Sequence, residues 1–332
     1  MPKISVLMSV YNEPVDWMRQ AIESILNQTY KDFEFIIVND NPEREENQLV
    51  LNEYRDKDSR IIILCNEHNI GLTKSLNRGL TVANGEYIAR MDADDISDPS
   101  RFHYQLRYLT EHPNITILGT SIFVFKSDSK WLRKKRILPL SALDIRLYAM
   151  FKNPIAHPSI MINLKNMGTF RYDEKCKRAQ DYNLWVRLML AGKDIENLKM
   201  KLLSYRNVQK GNTYFCEQNS VADIARLSIL EYEFGEKFVE EHKRIHLYVC
   251  SGISDQSFTI SEIEQYLLLI KRLLLGKYPN EKFYIEKVIG ELWENNCSRQ
   301  KKYLSYFCSI LLKNSTFIGK VKMLVRLFCN MI

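Results

Sequence analysis

Short apolar runs alternate with amphipathic helical patterns over the first hundred residues, and this alternation limits the folds open to the chain. Ile4 to Val10, Phe33 to Val38 and Ile61 to Leu64 have the length and apolar content of buried strands. Helical patterns separate them, including one that starts near Gly71. Since strands alternating with helices at this spacing form right-handed βαβ units, we predict an α/β fold with a mostly parallel sheet.

Three carboxylates follow the next predicted strand, Tyr87 to Met91, where it ends. Asp92, Asp94 and Asp95 lie within four residues, and like charges this close repel unless a counter-charge is present. Mg²⁺ and Mn²⁺ take oxygen ligands and complete their shells with water and substrate phosphate oxygens. Because open sheets bind ligands beyond the carboxyl ends of their strands, the cluster predicts a divalent-cation site. An acidic surface turn is the alternative.

Other polar residues end neighbouring strands of the same predicted sheet. Tyr11 and Glu13 follow the first strand, and Asp40 follows the second. We expect these side chains to gather with the aspartates in a nucleotide crevice. The chain has neither a G-x-G-x-x-G after its first strand nor a G-x-x-x-x-G-K-[ST] loop, so a dinucleotide fold and a P-loop are not expected. Lys74 and Arg90 are then the basic candidates for holding phosphate.

Three later segments carry further candidates. Residues 126–136 are basic around a central tryptophan, and they are either a solvated loop or a flap that meets diphosphate or a phosphorylated acceptor. His157 lies between two prolines, with a structural role as the alternative to a site role. Asp181 begins a predicted helix, where an aspartate is most simply a cap. As a general base it would also have to lie near a substrate hydroxyl.

The excess positive charge lies at the end of the chain. The 332 residues carry 47 Lys and Arg against 40 Asp and Glu, a net charge of +7, and no acidic residue follows Glu294. Apolar residues share the segment Lys301 to Ile332 with these basic residues, as in a helix lying on an anionic membrane surface. A helix packed on its own domain or on a partner is the alternative. No nucleic-acid-binding motif accompanies the tail, so nucleic acid is not an expected partner.

Cysteine usage and hydropathy indicate the compartment. The seven cysteines are scattered without a C-x-x-C pair, which favours a reducing cytoplasm over a disulfide framework or a zinc site. No apolar run approaches the roughly 18 residues of a membrane span, and the apolar run near the N-terminus is too short for a signal peptide. We therefore expect a cytoplasmic protein that associates peripherally with the inner face of the cell membrane.

Five segments stand in a fixed order along the first 210 residues: ISVLMSVYNE at 4–13, SILNQTYKDFEFIIVND at 24–40, NIGLTKSLNRGL at 69–80, GEYIARMDADDISDPSRF at 85–102 and QDYNLWVRL at 180–188. Together they resemble the family 2 glycosyltransferases, the inverting GT-A enzymes that build bacterial polysaccharides. The resemblance implies a Rossmann-like, mostly parallel central sheet flanked by helices. Since the pattern becomes helical from about Glu217, we predict a GT-A nucleotide-sugar-binding and catalytic domain at 1–215 and a helical C-terminal region at 216–332.

The resemblance implies donor and metal roles for matching residues. Tyr11, Glu13 and Asp40 would contact the uracil and ribose of a UDP-sugar. Asp92 would lie beside the ribose and the metal, and Asp94 would ligate Mn²⁺ or Mg²⁺ bridging the diphosphate. Such a metal would neutralise charge that develops on the departing UDP.

The resemblance also implies that Asp181 is the catalytic base, which takes a proton from the acceptor hydroxyl as it attacks the anomeric carbon. The family usually has Glu where this chain has Gln180. Gln180 and Trp185 are candidates for contact with the acceptor or with phosphate, although Trp185 also has the spacing of a core residue of the helix. Relatives often have a His soon after a Tyr-Arg pair, which is absent after Arg206, so Lys210 or His157 would take its place.

The expected activity is metal-dependent, inverting, non-processive hexosyl transfer. Glucose, galactose or an N-acetylated relative would pass from a UDP-sugar to a lipid-diphosphate-linked sugar in O-antigen or capsule assembly. The alternatives are a sugar-nucleotide pyrophosphorylase and a catalytically silent nucleotide-sugar-binding subunit of a polysaccharide complex. A glycosidase is disfavoured, because the carboxylates cluster on one side of a nucleotide-type sheet. The sequence gives no indication of oligomeric state.

Overall fold

The computed structural model describes residues 1–126, 134–208, 212–252 and 257–302, together with residues 305, 306, 309, 311, 320, 321, 323 and 324. The described chain divides into two compact units. The first, the α/β unit, is Met1–Ala149 with Asn153–Ala225, and the second, the helical unit, is Met150–Lys152 with Arg226–Ile332.

Nine strands and eleven helices are formed by the described residues. The strands are β1 Ile4–Val10, β2 Phe33–Asn39, β3 Ile61–Cys65, β4 Tyr87–Asp92, β5 Ile96–Ser97, β6 Ile115–Lys126, β7 Lys134–Arg136, β8 Met161–Asn163 and β9 Asp194–Asn207. The helices are α1 Val15–Leu26, α2 Glu45–Lys57, α3 Leu72–Val82, α4 Arg101–Glu111, α5 Ala142–Ala149, α6 Leu164–Met167, α7 Gln180–Leu190, α8 Asn212–Phe234, α9 Glu236–Ser251, α10 Ile260–Lys277 and α11 Lys282–Arg299.

The first half of the sheet is parallel. β1 lies between β2 and β4 and runs parallel to both, and β3 pairs in parallel with β2. Val10 pairs with Asn39, and Ser9 pairs with Asp92. The register therefore brings the carboxyl ends of β1, β2 and β4 to one edge of the sheet, where the polar residues were predicted to meet.

The second half of the sheet is mixed. The strand order is β3-β2-β1-β4-β8-β6-β9-β5, with β7 paired to β6. β8 is antiparallel to β4 and β6, whereas the long strand β9 is parallel to β6. The predicted α/β fold is confirmed, and the departure from a purely parallel arrangement lies in the later strands.

Helices cover the sheet and bury its apolar side chains. α1 contributes Met18, Ala21, Ile22 and Ile25 to the core. α3 packs closely on β1, because a Cβ added at Gly79 would lie 2.2 Å from Cδ1 of Leu7. This close packing fixes the start of α3, and with it Lys74, near the sheet edge.

The helical unit buries apolar faces of α10 and α11, including Ile263, Leu267, Ile289 and Trp293. A capping box at Thr259 begins α10. Across the described ranges of the chain, we find no helix whose length and apolar content would carry it through a bilayer. Most of the predicted amphipathic tail lies outside the described residues.

Candidate active site

A crevice of about 1130 Å³ opens at the sheet edge formed by the ends of β1, β2 and β4. The residues predicted from the sequence that line it are Tyr11, Glu13, Asp40, Lys74, Arg90, Asp92, Asp94, His157, Gln180 and Asp181. Lys210 lies outside the described residues, as do residues 127–133 of the basic stretch. The structure therefore brings together side chains that are up to 170 positions apart in the chain, from Tyr11 to Asp181.

Asp40 is buried in the crevice wall, and its carboxylate is already engaged. It accepts hydrogen bonds from the side-chain amide of Asn66 at 2.7 Å and from the backbone N–H groups of Ile70 and Gly71, both at 2.9 Å. Gly71 has φ of 86°, a conformation that favours glycine. Because a carboxylate offers about four acceptor positions, Asp40 shapes the loop before α3 and has roughly one position left for a ligand.

Tyr11 and Glu13 form the crevice wall after β1. The ring of Tyr11 is 42% exposed, and its backbone N–H donates to the Glu13 carboxylate at 2.7 Å. Arg44 donates to the backbone oxygen of Glu13 at 2.8 Å. Burial raises the pKa of Glu13, and the negative charge of Asp92 adds to the increase. The loop is thus held internally while it presents an aromatic ring to the solvent side.

The three aspartates after β4 form one cluster. Carboxylate oxygens of Asp92, Asp94 and Asp95 all lie within 4.8 Å of one another. Asp95 is fully buried, and it accepts the backbone N–H of Arg206 at 2.7 Å through Oδ1. Its Oδ2 has no hydrogen-bond partner in the part of the chain that the structure describes. Burial raises the pKa of Asp95 well above its usual range, and the charges of Asp94 and Asp92 raise it further.

This oxygen-only donor set fits a hard divalent cation. Mg²⁺ and Mn²⁺ prefer carboxylate oxygens, and a bound cation would relieve the repulsion among Asp92, Asp94 and Asp95. The family resemblance implies metal roles for Asp92 and Asp94 only. Asp95, which belongs to the same run of aspartates, is a third candidate because its carboxylate lies with the other two.

Arg206 holds the loop that carries the aspartates, and its role was not foreseen. Its Nε donates to the backbone oxygen of Asp94 at 2.7 Å. Its guanidinium lies over the rings of Trp17 and Phe125, at 4.5 Å and 4.6 Å from their centroids. Because planar guanidinium groups stack well on aromatic rings, Trp17 and Phe125 hold the Arg206 side chain in place. The hydrogen bond from Arg206 to Asp94 in turn holds the loop that carries the aspartates.

The two basic candidates for phosphate binding differ in exposure. Lys74 is exposed on the first turn of α3. Arg90 is 2% exposed, and its Nη2 donates to the carboxylate of Asp92. Burial alone would lower the pKa of Arg90, but the charge and hydrogen bond of Asp92, together with the charges of Tyr172 and Asp95, outweigh it and the pKa is raised. Arg90 therefore stays cationic beneath the crevice.

Asp181 lies in the first turn of α7, but it is not the helix cap. The N-cap is Ala179, in the left-handed region with φ of 49°. The side-chain amide of Asn153 donates to Oδ2 of Asp181 at 2.7 Å, which fixes the orientation of the carboxylate. Burial raises the pKa of Asp181. The cap explanation is thus wrong, and an oriented, half-buried carboxylate faces the crevice.

His157 lines the same crevice as this carboxylate. Its Nε2 is 2.8 Å from the hydroxyl of Tyr172, and its ring meets the ring of Trp185 edge to face at 5.7 Å. Burial lowers the pKa of His157 well below its usual range, so the ring is neutral at physiological pH. Trp185 does not line the crevice, because its side chain is fully buried and packs against His157.

An acidic cluster that fits a divalent cation and an oriented carboxylate, in one crevice at the carboxyl edge of an α/β sheet, are features of enzymes that act on phosphate-bearing substrates. The particular class follows from comparison with known proteins. Residues 5–171 match the sequence model of the family described as "Glycosyl transferase family 2", and the chain belongs to this family.

Two relatives named as glycosyltransferases agree with this membership. The chain is 36% identical over 211 residues to the uncharacterized glycosyltransferase MJ1057 of Methanocaldococcus jannaschii, covering 64% of this chain and 73% of the relative. It is 34% identical over 203 residues to the amylovoran biosynthesis glycosyltransferase AmsE of Erwinia amylovora, covering 61% and 75%. The chain is therefore a glycosyltransferase, and the pyrophosphorylase and silent-subunit alternatives are disfavoured.

The fold agrees with a solved structure. The chain superposes on S. aureus TarS 1-349 in complex with UDP-GlcNAc with a TM-score of 0.54 and 17% identity, covering 90% of this chain and 92% of that chain. At this identity the likeness concerns the fold, and it confirms the predicted GT-A architecture with helices toward the C-terminus.

Proposed function

We propose that the protein is an inverting, cation-dependent glycosyltransferase. It moves glucose, galactose or an N-acetylated hexose from a UDP-sugar to a lipid-diphosphate-linked sugar during O-antigen or capsule assembly. The observation that carries the proposal is that one crevice is lined both by Asp92 and Asp94, whose carboxylates cluster with that of the buried Asp95, and by the oriented carboxylate of Asp181. The relative named for amylovoran biosynthesis supports a polysaccharide pathway.

A UDP-sugar fits the donor side of the crevice. Tyr11, Glu13 and Asp40 lie at the ends of β1 and β2, where the nucleotide of an α/β enzyme binds. The exposed ring of Tyr11 offers a stacking surface for a base, and Lys74 offers a positive charge for the diphosphate. The TarS structure, which shares the fold, carries UDP-GlcNAc.

Asp92, Asp94 and Asp95 would hold Mn²⁺ or Mg²⁺ on this side of the crevice. When bound, the cation would neutralise negative charge on the diphosphate leaving group. Arg206 contributes by holding the backbone of Asp94 and the Oδ1 atom of Asp95, so that the carboxylates stay close together.

Asp181 is proposed to be the general base. It would take the proton of the acceptor hydroxyl as that oxygen forms its bond to the anomeric carbon and the bond to UDP breaks. Asn153 holds Oδ2 in place, which orients the carboxylate for this transfer. A single displacement inverts the anomeric centre, so an α-linked donor yields a β-linked product. Gln180 and the neutral His157 line the same region and would contact the acceptor.

A donor screen tests the proposal. UDP release is measured from UDP-glucose, UDP-galactose and their N-acetylated relatives, with a lipid-diphosphate GlcNAc or GalNAc acceptor, in Mn²⁺ and in EDTA. We expect one donor to release UDP only when cation and acceptor are both present. Release of pyrophosphate from a nucleoside triphosphate would instead establish a pyrophosphorylase, and no turnover of any sugar nucleotide would contradict the assignment.

The basic tail is proposed to bind the anionic inner surface of the cell membrane, where a lipid-linked acceptor is found. Seven basic residues follow Glu294 without an acidic one. Each basic residue near such a surface contributes about 1 kcal/mol. Deleting residues 300–332 should abolish sedimentation with vesicles that contain anionic lipid, while neutral vesicles serve as the control. Unchanged sedimentation of the shortened protein would contradict a membrane role for the tail.

A further inference from the structure

Arg90 differs from every other described residue that lines the crevice. It is 2% exposed, and only its Nη2 has a side-chain partner, the carboxylate of Asp92. Its Nε and Nη1 are buried without a hydrogen-bond acceptor among the described residues. No other described lining residue has a buried side-chain nitrogen or oxygen in this condition.

The polar groups near Arg90 are already paired with one another. Nε2 of His157 is bonded to the hydroxyl of Tyr172, and Oδ2 of Asp181 is bonded to Asn153. Buried polar groups in folded proteins nearly always have partners, so two unpaired donors on one buried cation need an explanation.

A second buried arginine provides the contrast. Arg101 is fully buried, and it donates to the backbone oxygens of Arg90 and Ile160 at 2.8 Å and 2.9 Å and to the side chain of Gln105 at 3.0 Å. Its guanidinium is thus satisfied by the protein as a structural group. The fold can therefore supply hydrogen-bond partners to a buried guanidinium group, as it does at Arg101. At Arg90 the described residues leave two of the nitrogens without a partner.

The position of Arg90 limits what its free donors could meet. It is bonded to Asp92 of the aspartate cluster, and it lines the same crevice as Asp181. It therefore lies close to both the carboxylates proposed to hold the diphosphate and the proposed base. In a single displacement, the transferred sugar occupies the space between the leaving group and the base.

We infer that Arg90 is a specificity-determining residue, whose Nε–H and Nη1–H groups bind oxygen atoms of the hexosyl group being transferred. The inference rests on the proposed function. A sugar fits better than a phosphate, because the Asp92 carboxylate already balances the charge of Arg90. What remains is a pair of directed donors, which suit the neutral hydroxyl oxygens of a hexose.

Calorimetric titration with UDP and with UDP-sugars distinguishes contacts to the sugar from contacts to the diphosphate. UDP and the four UDP-sugars are each titrated, in Mn²⁺, into wild type, Arg90→Lys and Arg90→Gln. We expect UDP to bind all three alike, while the preferred UDP-sugar binds the variants about 10- to 100-fold more weakly, the cost of losing hydrogen bonds to a charged group. Discrimination between UDP-glucose and UDP-galactose should shrink as well.

Arg107→Met is the matched control, because Arg107 is an exposed arginine of α4 that pairs with Glu111. It should bind every ligand as wild type does. Equal weakening for UDP and UDP-sugars in the Arg90 variants would overturn the inference and assign Arg90 to the diphosphate, and unchanged binding of both would overturn it outright. Absence of UDP binding to wild type would instead contradict the proposed function.

A measurement on the wild-type protein covers the case in which both Arg90 variants fail to fold. With ¹⁵N-labelled arginine, an Nε–H resonance should shift on addition of the preferred UDP-sugar and stay in place with UDP alone. If no arginine Nε–H signal distinguishes the two ligands, the inference is contradicted.

Discussion

Two buried residues of the α/β unit, Arg90 and Asp95, differ from the buried His246 of the helical unit in how their polar atoms are paired. In the helical unit, His246 is fully buried with both ring nitrogens paired, to the hydroxyl of Tyr266 at 2.7 Å and to the backbone oxygen of Met150 at 2.8 Å. In the α/β unit, Arg90 and Asp95 are as deeply buried, and the described residues leave polar atoms of both without partners.

The difference separates structural groups from candidate functional groups. A buried ionisable side chain whose partners all come from the protein stabilises the fold and needs nothing else. One whose partners are incomplete costs stability until a ligand supplies them, and such groups are concentrated at functional sites. Substitutions of fully paired groups and of incompletely paired groups should therefore change different observables.

Replacing Asp181 with Asn should have the largest effect on turnover. The amide keeps the shape of the side chain but cannot accept the acceptor's proton, so kcat should fall by about 10²- to 10⁴-fold. UDP affinity in Mn²⁺ should be nearly unchanged, since Asp181 is proposed to contact the acceptor side. The checks are a UDP-release assay and calorimetry. A variant with full activity would remove the base assignment.

Replacing His246 with Leu should affect stability alone. The substitution leaves the Tyr266 hydroxyl and the Met150 carbonyl without their partner, which costs about 1–3 kcal/mol for each group. The midpoint of urea unfolding should fall, whereas the Kd for UDP measured below the transition should match wild type. Weakened UDP binding by the folded variant would contradict a purely structural role for His246.

Replacing Asp95 with Asn should weaken cation binding without lowering stability, the reverse of the pattern expected for His246. Apparent Mn²⁺ affinity, followed through the cation dependence of UDP binding, should fall by about 10- to 100-fold, as for groups that support a metal site. The urea midpoint should stay constant or rise, because the substitution removes a buried charge that Asp94 and Asp92 repel. A large loss of stability with unchanged Mn²⁺ dependence would make Asp95 a structural residue.

The smallest expected effect is the fall of kcat at acidic pH. Burial raises the pKa of Asp181 above the ordinary 3.8, so the base becomes protonated, and kcat falls, at a higher pH than for an exposed aspartate. His157 does not contribute a second acid limb near neutrality, because burial lowers its pKa and keeps it neutral. The profile is measured at saturating donor and Mn²⁺. A kcat that falls with a midpoint near 6.5 would indicate a histidine instead.

The parallel half of the sheet could be predicted because its strands are apolar runs separated by amphipathic helices. β9 could not, because five of its fourteen residues are charged and it is held by pairing with β6 instead of by an apolar pattern. The order of the matching segments and the family resemblance were enough to predict that Asp40, Asp92 and Asp181 lie in one crevice.

The features of the site that could not be predicted from the sequence depend on how deeply each side chain is buried and on which partners it has. Asp95 and Asp94 are adjacent and chemically alike, and only the fold makes one fully buried and the other half-buried. Trp185 was predicted to lie at the acceptor, but its position on α7 turns it into the core. Arg90 was recognised as basic, whereas its unpaired donors follow from the packing around it.

The aspartate cluster is proposed to hold a cation together with the diphosphate of UDP. The most direct test is calorimetric titration of UDP into the full chain, first with Mn²⁺ and then with EDTA. We predict binding heat with Mn²⁺ that disappears or weakens by at least about tenfold in EDTA and in Asp94→Asn. Equal UDP affinity under all three conditions would contradict the account.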